Sequence, residues 1–300
     1  MEKLNRNAQL GYIKSIPDDM AGVFKDWYEQ TVKNNLVNEQ DGKDNEQHYC
    51  LVCDGIIRKR DKDEATIERE WDESKMRVAF LIKDQNQGKK GPWNDDARNW
   101  LIPMETDDTT EKKRRKTRNW NVSNKFLRNI AQTLWGITYS RPGNLMPNTG
   151  IYTHFDKIQK CFREVPFALI ECKKQGGKAN IDDDTLSYYL ETYKYLLYDE
   201  FDILEPHIFV CTNERIYKFV QDYITKFKYK GTLLTPVKSM KGDKEYESSI
   251  LLHIPSKTII LCSFHPSAYK HYDEFFDGVV AHYHAFLESE PELYTKFFEE

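Results

Sequence analysis

Short apolar runs that stop at polar turn residues alternate along this chain with longer stretches whose apolar residues recur every three or four positions. Residues 78–82 (VAFLI) run into Lys83-Asp84-Gln85-Asn86-Gln87-Gly88, and residues 167–170 (FALI) run into Glu171-Cys172-Lys173-Lys174 before Gly176-Gly177. Residues 208–211 and 258–262 are two more such runs, the last followed by Ser263-Phe264-His265-Pro266-Ser267. Runs of four or five apolar residues bounded by turn formers predict buried parallel strands. Residues 249–253, tied to the last run by Ile254-Pro255-Ser256-Lys257, predict one further strand and a turn.

Helical spacing fills the intervals. Met20, Val23, Phe24, Trp27, Tyr28 and Val32 share a face, predicting a helix over 18–36 capped by Asp18 or Asp19. Phe126, Leu127, Ile130, Ala131, Leu134 and Trp135 predict a second helix, with Gly136 placed to end it. A short amphipathic helix is expected over 155–163, and one long helix over 183–204, because Leu186, Tyr189, Leu190, Tyr193, Leu196 and Leu197 line up behind acids at 182–184. Helices are also expected over 214–227 and 273–287, with a further amphipathic turn or two before the end. The stretches 38–47, 88–100 and 139–150 read as connections, and 58–75 is a charged segment before the first apolar run. Strands alternating with helices of this length predict an α/β fold: a three-layer α/β/α sandwich with a mainly parallel central sheet over residues 71–300. Residues 1–70 read as an N-terminal helical or irregular extension packing on that core.

Composition narrows the reading. With 39% hydrophobic, 13% aromatic and 31% charged residues among 300, the chain is polar but able to bury a core, and disorder throughout is not expected. A net charge of −4 gives no global basic signal, so any nucleic-acid contact needs a local patch. Residues 111–118 (EKKRRKTR) read either as a solvated loop or as a phosphate-contacting cluster. Of the six cysteines, four lie in or beside apolar runs, where buried free thiols are expected. Cys50 and Cys53 make a lone CxxC without a second ligand pair, so a strand or turn near Asp54-Gly55 is expected rather than zinc. No leader-like apolar region follows Met1, and no run approaches the ~18 apolar residues that cross a bilayer. A reducing, cytoplasmic setting without a membrane contact is expected.

Open parallel sheets place their chemistry at the carboxyl ends of strands, which singles out Asp84 and His265. Each also has a plain structural reading, Asp84 as a turn cap and His265 as a turn histidine held by the backbone. Taken together, the strand ending in Lys83-Asp84-Gln85-Asn86-Gln87-Gly88, the strand ending near Glu171, the strand beginning Pro206-His207-Ile208 and the strand ending in Phe264-His265-Pro266-Ser267 resemble the uracil-DNA glycosylase superfamily. Asp84 and Gly88 match the layout of its first motif, and His265, Pro266 and Ser267 match its second in full. Phe275-Phe276-Asp277-Gly278 is similar to the aromatic pair that follows it. The resemblance covers most of residues 77–280.

The resemblance implies a DNA glycosylase that hydrolyses the N-glycosidic bond of a flipped uracil or another damaged base, with DNA as partner and without a cofactor or a metal. Cleavage builds positive charge on the sugar and negative charge on the leaving base, so a carboxylate and a hydrogen-bond donor stabilise it from two sides. By resemblance, Asp84 orients water and stabilises the cation while His265 donates to the pyrimidine oxygen. Gln85, Asn86, Trp93 and Glu171 would line the base pocket, with Trp93 or Trp100 stacking on the base. Gln87, Gly88, Ser267, Tyr269 and Lys270 would hold phosphate and supply the wedge. Uracil-specific members carry Pro, Tyr and Asn where this chain has Gln85, Asn86 and Glu171, which implies a different base or a fold kept for binding alone.

Two other readings follow from the same residues. Glu171-Cys172-Lys173 is the half-motif of a PD-(D/E)xK nuclease, in which Glu171 and an upstream acid such as Asp156 would hold Mg²⁺ and Lys173 would assist the attacking water. The third is a catalytically inactive nucleic-acid-binding module.

Overall fold

The computed structural model describes residues 25–27, 29, 52–59, 62–83, 95–99, 125–148, 153–174, 181–241, 244–268 and 272–300. Two short strands, β1 (Val52–Cys53) and β2 (Gly55–Ile56), flank Asp54. Gly55 sits at φ 119, a backbone conformation that a side chain would oppose. The charged segment that follows, to which the sequence assigns no element, is partly helical. It forms α1 (Glu64–Glu73), whose N-terminus is held by Asp63 accepting from the Thr66 N–H, while Ile67 and Trp71, four residues apart, are buried beneath a charged outer face.

The apolar runs form the expected strands: β3 (Val78–Ile82), then after the short β4 (Asp95–Asp96), β5 (Phe167–Glu171), β6 (Ile208–Cys211) and β9 (Thr258–Cys262). Before β9 come β7 (Thr235–Lys241) and β8 (Lys244–His253), the first not expected and the second longer than expected. A seven-stranded mixed sheet runs in the order β2-β5-β3-β6-β9-β8-β7, and β1 pairs in parallel with β4 in a separate two-stranded sheet. The protein is therefore α/β. Among the described residues no helix is long and apolar enough to cross a membrane.

The chain divides into two units. One gathers residues up to Gly55 with Ile82–Arg98 and Leu169–Glu205. It contains α4 (Asp183–Thr192) and α5 (Lys194–Leu204), which replace the single long helix expected over 183–204. The break falls at Tyr193, whose backbone leaves the helical region (φ −107, ψ 15) and whose buried ring stacks on Trp27 at 5.0 Å. Asp182 caps α4 as its acidic start predicts.

The other unit gathers Ile56–Leu81, Asn99–Ala168 and Pro206–Glu300. Its helices are α2 (Lys125–Tyr139), α3 (Phe155–Glu164), α6 (Glu214–Asp222), α7 (Tyr272–Asp277), α8 (Val280–Ser289) and α9 (Pro291–Phe298), with α6 continuing into a π-helical turn at Tyr223–Lys228. Helix α6 packs on β6 and β9, α8 packs on β7 and β8, and α2 packs against α3, α7 and α8. Gly136 does not end α2. It lies three residues inside the helix, and a Cβ there would stand 2.7 Å from Val280 Cγ1 and 3.2 Å from Phe276 Cε2, so its role is close approach to α7 and α8.

Within this unit β3, β6 and β9 run parallel, with Leu81, Cys211 and Cys262 level with one another. The ladder closes with Thr212 N–H donating to Leu81 O (3.1 Å) and Ser263 N–H donating to Cys211 O (2.8 Å). The carboxyl ends of the three strands therefore reach one edge of the sheet.

Candidate active site

At that edge the chain leaves β9 through Ser263-Phe264-His265-Pro266-Ser267 and turns toward α7. The His265 carbonyl accepts from the Ala268 N–H (2.7 Å), which closes the turn. Ser267 N–H donates to His265 Nδ1 at 3.2 Å. With Nδ1 an acceptor, the neutral imidazole carries its proton on Nε2, which is the tautomer that donates away from the turn. His265 is half-buried, Ser267 exposed and Pro266 buried, and the Phe126 ring lies 6.0 Å from the imidazole.

Two further contacts fix the turn. Asn129 of α2, fully buried, donates from Nδ2 to the Pro266 carbonyl at 2.7 Å. The Phe264 ring covers Gly278, where a Cβ would approach within 2.7 Å of Phe264 Cε2. The aromatic pair Phe275 and Phe276 is buried and belongs to the core. Asn129 was not singled out by sequence reasoning. The signal available was an asparagine among the apolar positions of an amphipathic helix, where a buried amide must have a partner.

Of the residues expected around Asp84, Asp84, Gln85, Asn86, Gln87, Gly88 and Trp93 lie outside the described residues, as do Trp100, Tyr269, Lys270, the basic cluster at 111–118, and Cys50. Lys83, the residue before Asp84, is described: its amine stands 3.8 Å from Asp183 at the start of α4, and its carbonyl accepts from the Lys173 N–H at 2.9 Å.

The segment after β5 holds a buried charge cluster. Lys174 Nζ donates to both oxygens of Asp54 (2.6 Å each) and to Glu200 Oε2 (2.7 Å), and all three side chains are fully buried. Asp54 also accepts from the Glu171 N–H in a short hydrogen bond. The Lys174 ammonium lies 5.1 Å from the Trp27 ring. Burial alone would depress the Lys174 ammonium, but the Asp54 and Glu200 carboxylates around it hold its pKa above the ordinary lysine value. Burial, followed by the nearby Asp54 charge, pushes Glu200 well above the usual carboxylate range. A lysinium set between two acidic side chains offsets their charge, the pairing a dry interior requires. Glu171 and Lys173 are buried as well, with the Lys173 ammonium 5.3 Å from the Tyr189 ring. Asp54 was missed because the sequence drew attention to the neighbouring CxxC; Cys53 is buried, as are Cys161, Cys172 and Cys211.

Asp156, the acid that a nuclease would pair with Glu171, is exposed in the first turn of α3. Among the described residues no group of three or more His, Cys, Asp and Glu side chains is arranged to hold a metal ion. No protein-family model matches this sequence, and no curated protein sequence matches it.

Proposed function

We propose that the protein is a DNA N-glycosylase of the uracil-DNA glycosylase type, with a three-layer α/β/α architecture, acting on a flipped damaged base. The observation that carries this reading is the shared edge: the strand that precedes Asp84 and the strand that precedes His265 are the two parallel neighbours of β6 and end level with each other. At one strand spacing each, their ends are roughly 10 Å apart. The tautomer of His265 supports the same reading. A leaving pyrimidine gathers negative charge on its oxygens, and a neutral Nε2–H donor stabilises that charge without first having to be protonated. Asp84 takes the complementary part, orienting water and stabilising the sugar cation, and Ser267 with its neighbouring amides contacts phosphate. Glu171 stands where uracil-specific relatives in that superfamily carry an amide, so the base read here is expected to differ from uracil.

The nuclease reading is less well supported, since Glu171 and Lys173 are buried and Asp156 lies exposed on a helix. An oligonucleotide panel carrying uracil, hypoxanthine and xanthine, incubated in EDTA, separates the alternatives. Free base and an abasic site are the expected products. Backbone nicking that stops in EDTA would replace this reading with the nuclease, and salt-dependent retention of DNA with neither product would leave a binding module.

A further inference from the structure

The π-helical turn that continues α6, together with the loop after it, forms a surface that the proposed chemistry does not use. Between Tyr223 and Val237 the chain carries Lys226, Lys228 and Lys230 and no aspartate or glutamate. Lys226 and Lys230 are exposed, Phe227 is 44% exposed and Leu233 86%. The nearest acid in sequence, Asp222, meets Lys226 at 2.8 Å, but the two side chains are 50% and 73% exposed, and a surface pair of that kind is worth little. A chain of net charge −4 thus presents here a surface that is cationic and partly aromatic.

Its rings are held from below by the core. Tyr223 is buried, meets Phe209 of β6 edge-on at 6.5 Å and stacks on Phe227 at 6.2 Å, with 27° between the planes, so the outer face of Phe227 points away from the core. Tyr229 lies 4.7 Å from the ring of His253 at the end of β8. His253 Nε2 is hydrogen-bonded to Thr232 Oγ1 (3.0 Å), and that hydroxyl donates to the Tyr229 carbonyl (2.6 Å). Gly231, at φ 84, donates its N–H to the Thr225 carbonyl (3.0 Å) and closes the turn. The Lys228 ammonium stands 5.8 Å from the Tyr223 ring and 5.9 Å from the Tyr229 ring, so cation and aromatic sit side by side on an anchored backbone. His253 pairs with Thr258, the first residue of β9, which puts this surface at the opposite end of that strand from His265, roughly 15 Å along it.

We propose that residues 226–230 bind a single-stranded nucleic acid, with the outer face of Phe227 stacking on a base while Lys228 and Lys230 meet the flanking phosphates. Only cations and rings are offered here, which complements a polyanion whose repeat is a phosphate and a flat base. Both contacts are indifferent to sequence, so the surface holds a strand without selecting a base. A duplex keeps its base faces stacked on one another, and a single exposed ring therefore gains most from an unpaired strand.

The test follows fluorescein-labelled oligothymidylate, which carries no damaged base, binding to the full chain by fluorescence anisotropy across a salt series. Phe227→Leu keeps an apolar contact to Tyr223 and removes the ring; Lys228→Gln with Lys230→Gln removes two cations. Each change is expected to weaken binding about tenfold with little effect on the thermal midpoint, and the lysine pair to flatten the slope of log K against log salt by about 1.4, at about 0.7 per phosphate. Failure of the unmodified chain to bind oligothymidylate at low salt overturns the proposal, and so do variants with unchanged affinity and slope. Binding to phosphatidylserine vesicles that Leu233→Ser abolishes, without oligothymidylate binding, overturns it in favour of a lipid surface. Oligothymidylate binding that depends on Phe227 and the two lysines, in a protein that releases no base from the damaged oligonucleotides, leaves this surface standing and removes the glycosylase reading.

Discussion

His265 and Asn129 show how little of a site's geometry a single residue type discloses. His265 was legible because a strand, a histidine, a proline and a serine stood in order; the contact from Asn129 to the Pro266 carbonyl joins residues 137 positions apart and leaves no local trace. Buried titratable groups were hidden for the same reason. Lys59 donates to the Phe162 carbonyl (2.8 Å) and lies 4.2 Å from the Phe167 ring, and burial lowers its amine from 10.5 to about 7. A base whose folded pKa is depressed gains stability as pH rises from the folded value toward the unfolded one. Stability measured by urea midpoint is thus expected to climb between about pH 7 and 10 through this group, and Lys59→Met is expected to remove that climb; parallel pH profiles would contradict the assignment. His207 and His284 are each lowered to about 4, chiefly by burial. His284 Nε2 is hydrogen-bonded to Ser140 Oγ at 2.8 Å, and that oxygen also accepts from the Met146 N–H. Their contribution is present above the ordinary imidazole value of 6.5 and is lost as pH falls through about 4. Unfolding midpoints at pH 7, 5 and 4 are expected to drop steeply, and a His207→Asn, His284→Asn pair to flatten the drop.

At the scale of elements, strands were more legible than helices. The apolar runs at β3, β5, β6 and β9 have no polar face to confuse the reading, because both faces are buried. Helix α1 was missed because only Ile67 and Trp71 are buried in a run of charges, and Gly136 was misread as a stop because a glycine that ends a helix and one that admits a neighbour look alike in sequence. The two are separable by substitution. Gly136→Ala gains up to about 1 kcal/mol in helix propensity but drives a methyl against Val280, an overpacking cost of about 1–3 kcal/mol, so a net loss of stability is expected. Val280→Ala in the same chain is expected to recover it, and a cycle in which the two changes simply add would place the contact elsewhere. The buried cluster is a second element-level device, tying the Asp54 turn to α5 and to the segment after β5. Lys174→Met leaves Asp54 charged in a dry site and is expected to cost about 3–5 kcal/mol. Glu200→Gln keeps the shape of a side chain whose carboxyl is held well above the usual carboxylate range, and is expected to cost less than Lys174→Met by the same denaturation measurement.

For the molecule as a whole, the α/β class and the parallel run β3-β6-β9 were readable from alternation of short apolar runs with helical periods. The antiparallel β7–β8 pair was not, because β7 (TPVKSMK) holds a proline and two lysines and lacks an apolar run. The strand ends at Ile82 and Cys262 were readable from their apolar runs, whereas Asn129, Asp54 and Glu200 were not, since they act across long stretches of sequence or through burial that composition does not reveal. The proposed glycosylase needs Asp84 and His265 to act together from the ends of the two strands that flank β6. Base release in EDTA from the oligonucleotide panel by the full chain, by Asp84→Asn and by His265→Ala tests this most directly. The expected result is release by the unmodified protein and a loss of about 10²-fold or more in each variant, the size associated with removing a general base or an electrostatic donor. Undiminished base release by both variants would contradict the account.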